Sequence, residues 1–239
     1  MNTETNHEIA VRKAAERGHA DHGWLNSWHT FSFGDYHDPA HMGFRSLRVI
    51  NDDRVAAGRG FGAHPHRDME IFSYVLEGEL AHKDSLGNSR ILKPGQIQLM
   101  SAGRGVTHSE FNPSTSNPIH FLQIWIQPRQ RGIDPGYTEW HPAPEHDAAP
   151  KVLVISPDGR EGSATIQQDV DVYRIRLAPN EEVTHTLSAE RGLWLHVAEG
   201  EIEINGLGLS TGDAASSAQA GVFKLRGQSR VEALLFDLV

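Results

Sequence analysis

Residues 58–78 read GRGFGAHPHRDMEIFSYVLEG, and residues 95–110 read GQIQLMSAGRGVTHSE. These two stretches decide the architecture. His64 and His66 are two apart, so on an extended strand both side chains project to one face. His108 and Glu110 are spaced in the same way. One face of a small barrel strand is its interior, where imidazoles are costly to leave unpaired and a divalent cation would satisfy them. If the two strands face each other across the barrel, four ligands converge: His64, His66, His108 and Glu110.

The surrounding sequence is mostly period two. Segments 46–51, 71–76, 79–83, 90–93, 96–101 and 119–127 are short and rich in β-branched and aromatic residues, and Gly or Pro turns separate them. Strands at roughly 8–12-residue spacing read as an antiparallel sandwich or barrel. Residues 128–150, PRQRGIDPGYTEWHPAPEHDAAP, carry five Pro and two Gly without alternation, and read as a surface linker. Strand patterns resume at 151–155, 172–177, 193–198, 201–205, 222–226 and 231–238. Few segments look helical; 8–17 has a helix-forming composition. Glu77-Gly78-Glu79 is echoed by Glu199-Gly200-Glu201, and Pro94-Gly95-Gln96 by Thr211-Gly212-Asp213. The economical reading is two related β-barrels: 1–132, a linker over 133–150, and 151–239.

Composition narrows the function. With no Cys among 239 residues, disulfides, thiolate metal sites and Cys nucleophiles are excluded, so any metal rests on His, Asp or Glu. A net charge of −9 argues against nucleic acid as a partner. The opening MNTETNHEIA shows no secretory leader, and apolar runs are too short to span a bilayer, so no membrane partner and a cytoplasmic location are expected. Fifteen His is an unusual number. A lone His-x-His arises by chance on surfaces; the second block at the right distance gives this one weight.

The two blocks resemble the paired cupin motifs, Gly…His-x-His…Glu…Gly and Gly…Gly-x2-His. The wording HPHRDMEIFSYVLEGELAHKDSLGN with MSAGRGVTHSE resembles the pirin family. HGWLNSWHTFSFGDYHDP and PRQRGIDPGYTE are similar to its bacterial branch with quercetin 2,3-dioxygenase activity. The resemblance implies an all-β, jelly-roll-like bicupin with one metal, usually iron, in the N-terminal barrel. It places the ligands on His64, His66, His108 and Glu110, with Glu70 of the first motif outside the set and suited to orienting a His. Ser101 stands where the second motif often has Pro, a turn position.

Three imidazoles and one carboxylate suit Fe(II), and also Mn, Co, Ni, Cu or Zn. A tetrahedral site would be closed and structural; an octahedral one leaves two positions open, for dioxygen and a substrate oxygen. The resemblance implies a metal-dependent dioxygenase that cleaves flavonols such as quercetin, with Glu110 as catalytic base. The alternative is a metal- or redox-sensing regulator that binds a protein partner. His19, His22, His29, His37, His41, His141 and His146 read as surface or lid residues. His82 and His120 lie on strands beside the motifs, and Arg67 and Arg104 flank the ligands. Trp24, Trp28, Phe31, Phe33 and Tyr36 read as core, or as the mouth of the barrel. Superposing Glu199–Gly200 on Glu77–Gly78 puts His185 near the first ligand position, with Leu187 in place of its partner and no His after Gly212. The C-terminal barrel is therefore expected to bind no metal.

Overall fold

The computed structural model describes residues 8–239, so the leader-free reading of residues 1–7 lies outside them. The first strands are β1 (Ala10–Arg12), β2 (Gly18–Asp21), β3 (Leu25–His29), β4 (Leu47–Val55), β5 (Gly60–His66) and β6 (Glu70–Glu77). They continue as β7 (Leu80–Asp84), β8 (Ser89–Leu92), β9 (Ile97–Ser101), β10 (Val106–Phe111), β11 (Ile119–Ile126) and β12 (Gly136–Trp140). A short helix α1 (Pro144–Ala148) precedes β13 (Lys151–Ser156), β14 (Ala164–Thr165), β15 (Val170–Leu177), β16 (Glu182–Leu187) and β17 (Gly192–Glu199). The chain ends with β18 (Glu201–Ile204), β19 (Leu207–Ser210), β20 (Ala214–Ser217), β21 (Gly221–Gly227) and β22 (Val231–Leu238). Among the described residues no helix is long and apolar enough to cross a membrane.

The chain divides into two compact units. One holds residues 17–143 and 155–169; the other holds residues 8–16, 144–154 and 170–239. In the first, a sheet ordered β12-β9-β6-β11-β4-β3-β2 is accompanied by one ordered β5-β10-β7-β8. In the second, the order β1-β20-β17-β22-β15-β13 is accompanied by β16-β21-β18-β19. Strand for strand, β4 to β11 of the first unit recur as β15 to β22 of the second. The hinges of the repeat recur in backbone geometry too. Gly78 and Gly200 have φ of 82° and 83°, and Gly95 and Gly212 have 79° and 82°. Those left-handed values are why glycine stands at each of the four turns.

Three parts of the expected division differ, the first being that residues 155–169, expected in the C-terminal barrel, belong to the first unit. Residues 8–17 form no α-helix, only a 3-10 turn at Ala14–Glu16: Ala10–Arg12 pairs with Ala214–Ser216, so residues 8–16 belong to the second unit instead of opening the first. The expected linker over 133–150 contains β12, which pairs with β9 from Gly136↔Ser101 to Trp140↔Ile97. As the edge strand of its sheet, β12 is only partly buried, so it needs no alternation, and Pro flanks it without breaking a ladder.

The face of the larger first-unit sheet that lines the cavity has a banded interior. His29↔Asn51, Asn51↔Gln123, Gln123↔Ser73 and Ser73↔Gln98 are successive register pairs, so five polar residues cross β3, β4, β11, β6 and β9 in one row. All five are buried. On one side of the row lies an apolar cluster that includes Val55, Val75 and Phe121; on the other lie Ile71, Met100 and Val106. Burying an aliphatic or aromatic side chain contributes about 1.5–3 kcal/mol. The apolar bands therefore hold the sheets together, and the polar band is free for chemistry. The second unit has a larger continuous cluster centred on Leu195, Ile202, Phe223 and Leu235.

Candidate metal centre

The two motifs do not face each other across the barrel. β5 and β10 are antiparallel neighbours in the smaller sheet, with His64 opposite His108 and His66 opposite Val106. Convergence comes from adjacency: His66 Nε2 and His108 Nε2 are 3.0 Å apart, and His108 Nε2 and His64 Nε2 are 3.1 Å apart. The register then slips. Glu110 opposes Phe61, so Gly62 and Ala63 together stand opposite Ser109. This bulge lets Phe61 and His64, three residues apart, both line one cavity.

His64 Nδ1 donates to the Gly62 carbonyl at 2.7 Å, which leaves the Nε2 lone pair free to act as a ligand. Burial, then repulsion from His108 and His64, lowers the pKa of His66 to about 4. Burial, then His64 and His82, lowers that of His108 to about 3. Both imidazoles are neutral near pH 7, as metal ligands must be. Two nitrogens each about 2.1 Å from one ion, at a right angle, lie about 3.0 Å apart, so the donor spacing fits a first-row divalent cation.

Glu110 is 1% exposed. Ser73 Oγ donates to its Oε1 at 2.7 Å, and Gln123 Nε2 donates to its Oε2 at 2.5 Å. The polar row of the larger sheet thus grips a carboxylate carried by the smaller one. Two donor groups share His108: His64, His66 and His108 form one, and His82, His108 and Glu110 form the other. His82, a strand neighbour in the sequence, is therefore part of the centre. It is buried opposite Glu110, tilts against His108 at 5.3 Å between centroids, and lies 3.3 Å from Asp84 through Nε2. Asp84 is fixed by the amides of Leu86 and Asn88 in the β7–β8 turn.

Glu70 belongs to neither group and orients no His. Its Oε2 accepts from Ser101 Oγ at 2.6 Å and from the Gln167 amide at 3.1 Å. Ser101, expected in a turn, is the last residue of β9. His120 bonds Asp52 at 2.7 Å, away from the centre. Arg67 and Arg104 are exposed, and Arg104 pairs with Asp134.

The cavity lined by His64, His66 and Glu110 is about 460 Å³, within the range of small-molecule sites. Phe33, Tyr36, Phe61 and Trp125 wall it, with Trp125 edge-on to His66 at 4.9 Å. Of the N-terminal aromatics, Phe33 and Tyr36 line the mouth and Phe31 is core. His29, read as a surface or lid residue, is buried on β3 and lines the cavity, with its Nδ1 2.8 Å from Asn51 Oδ1. Asp53, missed altogether, also lines the cavity. It is 3% exposed, and burial pushes its carboxyl up to about 7, with repulsion from Asp52 and Glu110 acting the same way against a hydrogen bond from Ser27.

Among the described residues, the equivalent strands of the second unit carry no such cluster. His185 on β16 opposes Phe223 on β21 where His64 opposes His108. Both its nitrogens are engaged, Nε2 with Asp237 at 2.8 Å and Nδ1 with Lys151 at 3.0 Å.

Comparison with known proteins follows the same lines. Residues 10–126 match the family model described as Pirin, and residues 153–238 match one described as Quercetinase C-terminal cupin domain. The chain is 50% identical to quercetin 2,3-dioxygenase of Escherichia coli K12, over 96% of this chain and 98% of that protein. It is 40% identical to a putative quercetin 2,3-dioxygenase of Pseudomonas aeruginosa, over 92% and 95%. The crystal structure of the bacterial pirin YhhW from Escherichia coli in complex with nickel(II) superposes with a TM-score of 0.92 at 49% identity, covering 97% of this chain and 99% of that one. With the bicupin fold, both motif blocks and full-length similarity in agreement, the chain belongs to the pirin family.

Proposed function

We propose that this protein is a metal-dependent dioxygenase that cleaves flavonols such as quercetin with dioxygen. The observation that carries the reading is the convergence of three imidazole nitrogens at 3.0–3.1 Å beside an aromatic-walled cavity that His64 and His66 line. The names of the quercetin 2,3-dioxygenases and the nickel complex of the related pirin support it. We assign His64, His66, His108 and Glu110 as the ligands of one divalent transition metal. Iron(II) is the ion we infer, and Zn, Ni, Mn, Co and Cu are compatible with the same donors. The C-terminal barrel, on this reading, holds no metal, and the protein works in the cytoplasm.

When bound, the metal supplies Lewis acidity and open positions for a substrate oxygen and for dioxygen. The protein does the rest. Glu110, gripped by Ser73 and Gln123, accepts the proton of the flavonol 3-hydroxyl on its carboxylate. Phe33, Tyr36, Phe61 and Trp125 stack on the flat substrate and exclude water. Oxygen uptake with loss of flavonol absorbance by metal-loaded protein in air is the direct test. If neither changes, the enzyme reading fails, and the protein-binding regulator becomes the reading to pursue by affinity capture.

A further inference from the structure

β4 carries two successive aspartates with opposite fates. Asp52 faces away from the cavity and meets three basic groups: His120 at 2.7 Å, Arg17 at 3.4 Å and Arg54 at 3.5 Å. Asp53, pointing to the other face as strand alternation requires, lines the cavity, and among the described residues no cation pairs with it. Ser27, its register partner on β3, hydrogen-bonds its carboxyl, but Oδ1 has no partner. A buried carboxyl oxygen without a partner carries a desolvation cost that a bound hydroxyl would relieve. His29 and Asn51 lie one register row away and also line the cavity, so this end of the wall is polar while Phe33 and Phe61 beside it are apolar.

We propose that Asp53 is a specificity-determining residue, which hydrogen-bonds a phenolic hydroxyl of the substrate through Oδ1 and so selects polyhydroxylated flavonols over unsubstituted ones. The inference rests on the flavonol reading above. A phenol both donates and accepts, so it suits a carboxyl in either protonation state. A flavonol lacking that hydroxyl leaves Oδ1 buried and unpaired, and a site built to hydrogen-bond a substrate group rejects such an analogue by at least about tenfold.

The test is equilibrium binding without oxygen, so that no turnover intervenes. Metal-loaded wild type, Asp53→Leu and Asp53→Asn are titrated with quercetin and with unsubstituted 3-hydroxyflavone, following the flavonol spectrum. Asn nearly matches Asp in volume and keeps a partner for Ser27, whereas Leu is larger and removes the polar group altogether; circular dichroism checks that each variant folds. The ratio of the two Kd values in wild type should favour quercetin by at least about tenfold, collapse towards one in Asp53→Leu, and recover in part in Asp53→Asn. Should Asp53→Leu not fold, a reduced ratio in Asp53→Asn carries the test. An unchanged ratio in the folded variants overturns this inference alone. If wild type binds neither flavonol, the flavonol reading fails, and this inference falls with it.

Discussion

His64 stands directly opposite His108 in the register of β5 and β10, with their Nε2 atoms 3.1 Å apart. His108 Nε2 is also the atom that His66 approaches, so it is the hub of the cluster. His108→Ala is expected to lose metal by more than the roughly 10–100-fold that removal of an outer hydrogen-bond partner costs. His66→Ala should behave in the same way. Metal analysis after gel filtration decides, and one full equivalent retained in either variant would refute the four-ligand assignment.

On the proposed mechanism Glu110 has both a proton to accept and a position to keep. Glu110→Gln keeps an oxygen but weakens the base, so turnover should fall further than metal content. Ser73→Ala removes the 2.7 Å hydrogen bond to Oε1. With about 1–3 kcal/mol at stake in a buried charged hydrogen bond, kcat should fall about tenfold or more while metal content stays near wild type. Parallel loss of metal and kcat in Ser73→Ala would show that the serine supports the fold of the site and not the base.

Tyr36 reaches the mouth of the cavity by lying on a residue without a side chain. A Cβ built on Gly18 would come within 2.3–2.6 Å of the Tyr36 ring. Gly18→Ala must displace that ring, with a stability cost of about 1–3 kcal/mol for overpacking. Because the ring walls the cavity while the proposed base is Glu110, KM should rise more than kcat falls. Steady-state kinetics on flavonol gives the split.

In the second unit, burial alone would raise the carboxyl of Asp237, but hydrogen bonds from His185 and Arg191 outweigh it and hold it below the ordinary value of 3.8. A depressed folded pKa means stability that is full above the unfolded value and lost as pH falls through the folded one. Asp237→Asn should therefore unfold more easily than wild type at pH 7, by about 1–3 kcal/mol. The difference should shrink as pH drops below about 4. Denaturant melts at pH 7 and pH 3 measure both points; an equal gap at the two pH values would contradict the assignment.

Motif spacing made the three imidazoles and Glu110 legible, because two-residue spacing on a strand is a local property. The larger strands were legible for the same reason, Val231–Leu238 and Ile119–Ile126 among them. Pairing was not: nothing local in His64 and His108 tells neighbouring strands from facing ones. The polar row His29–Asn51–Gln123–Ser73–Gln98 reads in sequence as solvent-facing residues, since alternation assigns polar side chains outward. Asp53 was hidden in the pair Asp52–Asp53, where one aspartate is ion-paired and the other enters the cavity. β12 was hidden because an edge strand needs few apolar residues.

The bulge opposite Ser109 sets a constraint of a different kind. Gly62 and Ala63 are both exposed, and a Cβ on Gly62 would meet nothing within 4 Å. Descent can therefore rewrite either side chain freely. Their number is what shapes the strand: losing one would leave Phe61 and His64 two apart, still on one face, but would remove the bulge and the bend and added twist it gives β5. Between Phe61 and His64 the length of the chain sets the path of β5 more than its letters do, so point substitutions should leave the site in place where a one-codon deletion shifts the histidines against Phe61.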